Sequence, residues 1–353
     1  MKWILPIVIA FTVSLYASTP SGAYCTPPKV QQCSEEEPDL FKQNDQIYSG
    51  SVEFLYWTVA EGALDYAIKM QRPAWSDTSP SYAQGQFATA GYGPDPGVRL
   101  GFHYFRAPHY WELKWQYTRM TSNGHDSIEK PAESNEFLTG TWPQISPLSL
   151  TQATSHIHLN YNVFDMLIDR VFFPNPHLRL RLVGGAIITW MNQDWKVRYF
   201  DAIANTTTIR NRWSFAGGGL KLGSVFDWYL TWDLYMTGTA NFGVLIGDYT
   251  NKAKQTTTVA LLPQDNTDIP VRNATYNDIR SAFTSQLMLG PSWQKNFCNS
   301  RVEVFAGFEM NIWFNLQEIY RSTSGIPSAA KETWLNSGML AFYGLTTRVT
   351  ADF

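Results

Sequence analysis

Charge is scarce in this sequence. Asp, Glu, Lys and Arg make up 16% of its 353 residues, against roughly 25% in an ordinary soluble domain. Neither sign is in real excess: the formal net charge is −3, so there is no basic surplus to meet phosphates and nucleic acid is excluded as an expected partner. Cysteine is nearly missing. The three present, Cys25, Cys33 and Cys298, fit no zinc spacing. Beyond the N-terminal segment no run approaches the roughly 18 apolar residues of a membrane-crossing helix. Gly-x-Ser-x-Gly and His-Glu-x-x-His do not occur, and the expectation is a protein that is not an enzyme and carries no cofactor and no metal.

The first residues read as an export signal over 1–23. Lys2 supplies the positive start, Ile4 to Leu15 the apolar core, and Ser21-Gly22-Ala23 a small-residue cleavage site, with Ala17 as an alternative. The apolar part is shorter than the ~20 residues of a span. Cys25 does not make it a lipoprotein signal, because Tyr24 stands where a small residue should precede a lipidated cysteine. Export implies an oxidising compartment. Cys25 and Cys33 could close a small loop and leave Cys298 over; an odd number leaves one thiol free or bridged to another molecule. Residues 24–47, with Pro27, Pro28, Glu35-Glu36-Glu37 and Pro38, read as an irregular periplasmic segment. The rest, 48–353, is either a soluble exported protein or a closed barrel, the one structure besides the helix that satisfies its backbone inside lipid.

What the sequence has instead of charge is aromatics, 15%, and an alternation of period two. Leu178, Leu180, Leu182, Gly184, Ala186, Ile188 and Trp190 occupy every second position, with Arg179 and Arg181 between them. A strand puts the leucines on one face and both arginines on the other; a helix would scatter them. The pattern recurs in Val98–Tyr104, Trp111–Thr118, Leu230–Met236 and Arg301–Phe314. Strands are expected to begin near 48, 98, 110, 155, 177, 213, 230, 282, 301 and 337. Short turns are expected at Arg106–His109, Phe173–Pro176, Asp227–Tyr229 and Lys295–Ser300. Long polar connections are expected over 71–97, 121–154, 192–212, 247–280 and 315–336. This rhythm is that of an outer-membrane barrel, with tight periplasmic turns and longer outer loops. The expected fold is an all-β, antiparallel, up-and-down transmembrane barrel of about 12 strands, with 10 to 14 allowed, and Ala63–Met70 with Gln84–Tyr92 as a further hairpin. Trp57, Trp111, Trp190, Trp228 and Trp293 fall near strand ends, where rings can sit at headgroup level.

The last strand is the most specific signal. Tyr343, Leu345, Val349 and Phe353 lie on one face, and the chain stops on the aromatic. This is similar to the C-terminal signal by which bacterial outer-membrane proteins are recognised by the barrel assembly machinery. Gly50-Ser51-Val52-Glu53-Phe54-Leu55-Tyr56-Trp57, then Gly62 and Asp65-Tyr66-Ala67, resemble the first strand of Legionella-type major outer-membrane proteins, which have relatives among chlamydia-related bacteria. Pro96 to Gly101, Trp111-Glu112-Leu113, His158 to Val163 and Asp165 resemble later strands of that family. The resemblance covers most of 48–353 in loose patterns. It implies a pore-forming porin in the outer membrane of a Gram-negative bacterium. It also implies that the cysteines could cross-link to a disulfide partner in a chlamydia-like envelope.

With the leucine face in lipid, the expected pore lining is Glu53, Arg99, Glu112, Lys114, Arg179, Arg181, Lys221, Asp233, Arg301, Glu303, Glu309 and Arg348. Seven are basic and five acidic, which points to weak anion preference among small hydrophilic solutes and ions. The opposing reading is that these charges pair across strands and plug a narrow barrel, leaving a structural surface protein or adhesin. A transporter of hydrophobic compounds would need an apolar lumen near a plug, for which 24–47 is too short and acidic. The segment 247–280 is a candidate inward-folding constriction, or a plain outer loop. Ser155, His156, His158 and Asp165 are close in sequence but have no catalytic spacing; the two histidines read as polar lining sooner than a metal pair. Lipid is a partner by location, and a homo-oligomer stays open.

Overall fold

A computed structural model describes residues 46–353 apart from 71–84, 107–109, 133–135, 143–149, 232, 259–268, 298–299, 323–331 and 336–337. The signal segment, nearly all of 24–47, and Cys25, Cys33 and Cys298 lie outside the described residues.

The described chain is strand throughout. In order these are β1 (Gln46–Glu61), β2 (Asp65–Met70), β3 (Gly85–Thr89), β4 (Pro94–Arg106), β5 (Trp111–Glu129), β6 (Phe137–Gly140), β7 (Leu150–Asn175) and β8 (Leu178–Asp201). Then follow β9 (Thr206–Tyr229), β10 (Leu234–Thr258), β11 (Ile269–Phe297), β12 (Ser300–Phe314), β13 (Ile319–Ser322), β14 (Glu332–Leu335) and β15 (Met339–Asp352). Ten of them close a barrel in the order β1-β15-β12-β11-β10-β9-β8-β7-β5-β4. Every pairing is antiparallel, and all but the closing β1–β15 pair join sequence neighbours once the small inserted strands are set aside. Ten is the lower end of the expected range. The extra strand pieces in the long connections add no staves: β3-β2-β6 and β13-β14 form two separate small sheets. The hairpin read in 63–92 is therefore present as β2–β3, detached from the wall.

Closure runs through the first and last strands. Ser49 to Glu61 of β1 pair with β15, and the Phe353 and Tyr48 backbones exchange hydrogen bonds of 2.8 and 3.0 Å. A closed ladder leaves no edge carbonyl or amide facing lipid. Among the described residues no helix is long and apolar enough to cross a membrane; the crossing is made by strands.

The lipid belt is visible as exposed apolar residues at alternate positions: Val52, Phe54 and Tyr56 on β1, Leu220, Leu222 and Phe226 on β9, Leu287, Leu289 and Trp293 on β11. These lie in the parts of the strands nearest the short turns, so that end is periplasmic. Strands β7 to β11 have 24 to 29 residues, against the ~9–11 that cross a bilayer. Their other halves form a wall standing beyond the belt on the outer side.

In that wall the sequence pattern inverts. Along β8 the inner face begins Arg179, Arg181 and ends Trp195, Val197, Tyr199, while the outer face begins Leu178, Leu180, Leu182 and ends Asp194, Lys196, Arg198. Within lipid the barrel is greasy outside and polar inside; beyond it the reverse holds, as in a barrel dissolved in water. This corrects three expected loops: of 121–154, residues 121–129 and 150–154 are strand in β5 and β7. Residues 192–201 and 206–212 are strand, joined by a connection at 202–205 in which Asp201 Oδ1 accepts the Ile203 and Asn205 amides at 3.0 and 2.8 Å. Residues 247–258 and 269–280 are likewise strand, so the bulk of 247–280 is barrel wall and does not fold inward.

Candidate functional site

The site to examine is the barrel interior, built in two storeys. The lower storey, level with the lipid belt, is charged. Eleven of the twelve expected lining residues face it; Asp233 instead sits exposed in the β9–β10 turn, where its carbonyl accepts the Gln294 amide at 2.8 Å. Asp233 holds the right parity but lies below the first inward position of β10.

Register explains how the charges meet. Glu53 on β1 stands opposite Arg348 on β15 and Arg99 on β4. Arg99 gives Nη1 to Glu53 at 2.5 Å and Nη2 to Glu309 at 2.8 Å, with Nε donating to Thr118 at 2.9 Å. Glu309 also accepts from Gln286, Asn311 and Thr346 at 2.7, 2.9 and 2.8 Å. Arg348 pairs with Glu303 at 2.8 Å, and Arg301 with Asp352 at 2.6 Å. On the facing wall Lys114 reaches Asp169 at 2.5 Å, Lys221 reaches Asp165 at 3.1 Å, and Arg179 and Arg181 share Asp227 at 2.9 and 3.0 Å. His103 Nδ1 lies 3.0 Å from Glu112.

Sequence reasoning missed four of these acids. Asp165, Asp169, Asp227 and Asp352 are all buried on the inner face, which makes the storey seven basic to eight acidic among the described residues. The basic excess that suggested anion preference is absent. Parity along the last strand already put Asp352 on the polar side; Asp227 was hidden by reading its neighbourhood as a turn. Space remaining between the charges, bounded by Glu53, Arg99, Glu112, Lys114, Arg301 and Arg348 among others, is about 70 Å³. That is room for a few waters.

The upper storey is mainly apolar, with the buried Arg280–Glu318 pair at 3.0 Å set into it. Leu55, Trp57, Tyr161, Met191, Trp195, Tyr199, Trp213, Tyr249, Trp313 and Phe342 form one buried cluster. The long connections fold down into it. Leu64, Tyr66 and Ala67 around β2, Leu138 on β6, and Trp142 are buried within the same cluster. Tyr199 donates to the Tyr66 carbonyl at 2.5 Å, Trp142 packs edge-on to Trp195 with centroids 5.1 Å apart, and Gln317 donates to the Gly62 carbonyl at 2.7 Å. Arg321 ties this layer together, pairing with Asp65 at 2.7 Å and lying 4.8 Å over the Trp142 ring. Inward-folding segments thus come from the β1–β4, β5–β7 and β12–β15 connections.

Trp57 belongs here too. It is fully buried and donates Nε1 to Thr346 at 3.1 Å, so it is not a headgroup aromatic; Trp111, Trp190, Trp228 and Trp293 do face outward and exposed. The close set Ser155, His156, His158 and Asp165 is divided between faces. Ser155 points inward and accepts Trp195 Nε1 at 2.8 Å, Asp165 pairs with Lys221, and both histidines point outward beyond the belt. There His125 Nδ1 lies 3.2 Å from His156 Nδ1, and His158 is held by Asn123 at 2.6 Å. Partial burial, then His125, Arg198 and Lys196, hold the His156 imidazole below its ordinary value. Among the described residues no three or more His, Cys, Asp or Glu side chains converge as a metal site would.

A charged lumen, an apolar belt and a wall closed through the final strand set the frame for comparison with known proteins. The family model described as Legionella pneumophila major outer membrane protein precursor matches residues 43–351. The chain belongs to this family. Its place is therefore the outer membrane, as an integral β-barrel. None of the curated proteins matches this family member in sequence. Among solved structures it is similar to the outer membrane protease OmpT of Escherichia coli, at 9% identity over 88% of this chain and 97% of that one, with a TM-score of 0.42. A Pseudomonas aeruginosa FadL homologue follows at 9% identity, 87% and 90% coverage and 0.23, and the Pseudomonas putida toluene transporter TodX at 8%, 88% and 90%, and 0.22. The likeness is too distant to carry any activity across.

Proposed function

We propose that this family member is a narrow channel for ions and small hydrophilic solutes, closed in the conformation described. One observation carries the reading: at membrane level the interior is charged where it could be apolar. A buried ion pair seldom stabilises more than well-packed apolar residues of the same volume, so a barrel that served only as a scaffold would lose nothing by filling itself with leucine. Charged walls around a small cavity suit solute passage, which needs sites that bind weakly and release. Seven basic and eight acidic groups support little preference between anions and cations, in place of the anion preference first expected. The upper storey and the packed charges beneath it both close the barrel, and movement of the β2–β3–β6 layer would begin its opening. We infer no catalytic role.

A second reading has its own support. The charges are closely paired and the upper storey is densely aromatic, which suits a sealed structural protein displaying its outer wall, as an adhesin would. Planar-bilayer recording separates the two. The channel reading expects rare, small stepwise currents from the whole protein and larger, frequent ones when residues 64–92 are replaced by a short Gly-Ser linker. Silence from both proteins at high load would leave the structural reading.

A further inference from the structure

The outer wall carries one concentration of charge that the lumen does not explain. On the outward faces of β8, β9 and β10 stand Lys196, Arg198, Arg210, Arg212, Lys252 and Lys254. Register brings them side by side: Lys196 is opposite Arg210, which is opposite Lys254, and one step lower Arg212 is opposite Lys252. Two carboxylates share these outward faces: Asp194, accepting Arg210 Nε at 2.7 Å and Arg212 Nε at 2.9 Å, and Asp248, exposed four residues below Lys252 on β10. Lys196 has a further partner, and the five other cations stand against two acids on three adjacent strands, a costly arrangement since like charges facing each other across a ladder destabilise it. The flanking strands carry no carboxylate in the same rows: His156 and His158 on β7, Asn273 and Thr275 on β11.

Height decides what can lie against this face. The last apolar outward residues below it are Trp190 on β8 and Ile246 on β10, both exposed. Lys196 and Lys252 each stand six residues further along their strands. At about 3.3 Å per residue and a strand tilt of about 40°, that is roughly 15 Å above the hydrocarbon edge. In the outer leaflet of an outer membrane this is the level of the phosphorylated and acidic sugars of lipopolysaccharide. Arginine forks match phosphate oxygens two at a time, and lysines add point charge.

We propose that this face is a binding site for the phosphorylated headgroup of outer-leaflet lipopolysaccharide, which neutralises the cation cluster. The site is separate from the lumen and independent of whether the lumen conducts.

The test uses the full mature chain folded in detergent micelles. Its probe is a deep-rough lipopolysaccharide, lipid A carrying only its inner acidic sugars, with binding read by native mass spectrometry and by displacement of a fluorescent analogue. Each surface cation near an anionic headgroup is worth about a fivefold change in affinity, so K196Q/R210Q/K254Q should bind about 100-fold more weakly, with an unchanged melting temperature in lipid-free micelles. Raising salt should weaken wild-type binding and flatten the difference. K252Q/K254Q, which alters two exposed side chains, should lose about 25-fold and decides the matter if the triple variant does not fold. Equal binding by wild type and variants overturns the proposal. So does equal binding of dephosphorylated lipid A or of phosphatidylglycerol, and so does tighter binding of polyglutamate, which would point to an acidic protein as the occupant.

Discussion

Replacing Arg99 by Met asks whether the lower storey is dry. Arg99 is nearly inaccessible, and it holds two carboxylates that are themselves buried, Glu53 and Glu309, at 2.5 and 2.8 Å. Met keeps much of the length of the side chain, so the ladder between β1 and β4 is undisturbed. Glu309 is then left with only neutral donors, Gln286, Asn311 and Thr346, and Glu53 keeps only the more distant Arg348 at 3.8 Å. Removing one member of a desolvated pair costs about 3–5 kcal/mol; removing one member of a solvated pair costs about 0–1 kcal/mol. The loss for R99M should fall in the first range. The assay is urea unfolding of the protein in lipid vesicles, followed by tryptophan fluorescence, with slopes compared so that only a change in midpoint is read as stability. The triple variant E53Q/R99M/E309Q removes the stranded charges and should recover most of the loss. A cost for R99M below 1 kcal/mol would refute the reasoning, because it would mean that water reaches Glu53 and Glu309 and that the lower storey is an open aqueous path.

Three further outcomes test other parts of the structure. Leu289→Lys, on the lipid face of β11, should cost about 2–4 kcal/mol near the bilayer midplane, whereas Ser214→Lys, exposed on the outer wall of β9, should change stability by about 0.5 kcal/mol or less; equal costs would displace the belt. Trp142→Ala removes the ring between Trp195 and Arg321 and should cost about 3–5 kcal/mol locally, read as faster hydrogen exchange in β2 and β3 while the barrel keeps its heat-modifiable migration on gels. Phe353→Ala leaves the backbone bonds to Tyr48 in place, so the refolded protein should melt as before while the assembled yield in cells falls; an unchanged yield would remove Phe353 from the assembly signal.

Much of the wall was legible in the sequence because lipid imposes a simple rule. Leu178, Leu180 and Leu182 could face only outward once Arg179 and Arg181 were on the same strand, and nine of the ten staves begin within seven residues of their expected starts; β11 begins at Ile269 where 282 was expected. The rule lapses where the outer solvent becomes water. At Asp194, Lys196 and Arg198 the outward face turns polar, and a stretch read for lipid-facing leucines looks like a loop although the alternation runs on to Asp201. The inward face there is Trp195, Val197 and Tyr199, a strand pattern of opposite sign. Ion partners were illegible for another reason. That Glu53 stands between Arg99 and Arg348 is a fact of register across three strands, and a single strand carries no record of it. Nor does anything local to Tyr66 or Trp142 say that their connections turn into the barrel; a polar loop with a few aromatics reads the same whether it folds in or out.

The two storeys follow from the solvents on either side of the wall. Beyond the belt, water surrounds the barrel, so burying Trp195, Tyr199, Trp213 and the inserted β2 layer gives the ordinary hydrophobic gain. Within the belt, lipid is as apolar as leucine, and an apolar interior would gain nothing from it. Charge, for its part, is excluded from the lipid face, where lysine or arginine costs several kcal/mol, so the lower interior is the place such groups can occupy. The outer storey therefore supplies packing and the inner storey supplies charge. Only the outer storey is built from connections as well as staves. Its links to the wall are side-chain contacts such as Trp142 to Trp195 and Tyr199 to the Tyr66 carbonyl, while the staves are joined by continuous backbone ladders. Breaking a few side-chain contacts is the smaller cost, so any opening of this barrel must begin in the layer of β2, β3 and β6 and leave the ten-stranded wall intact.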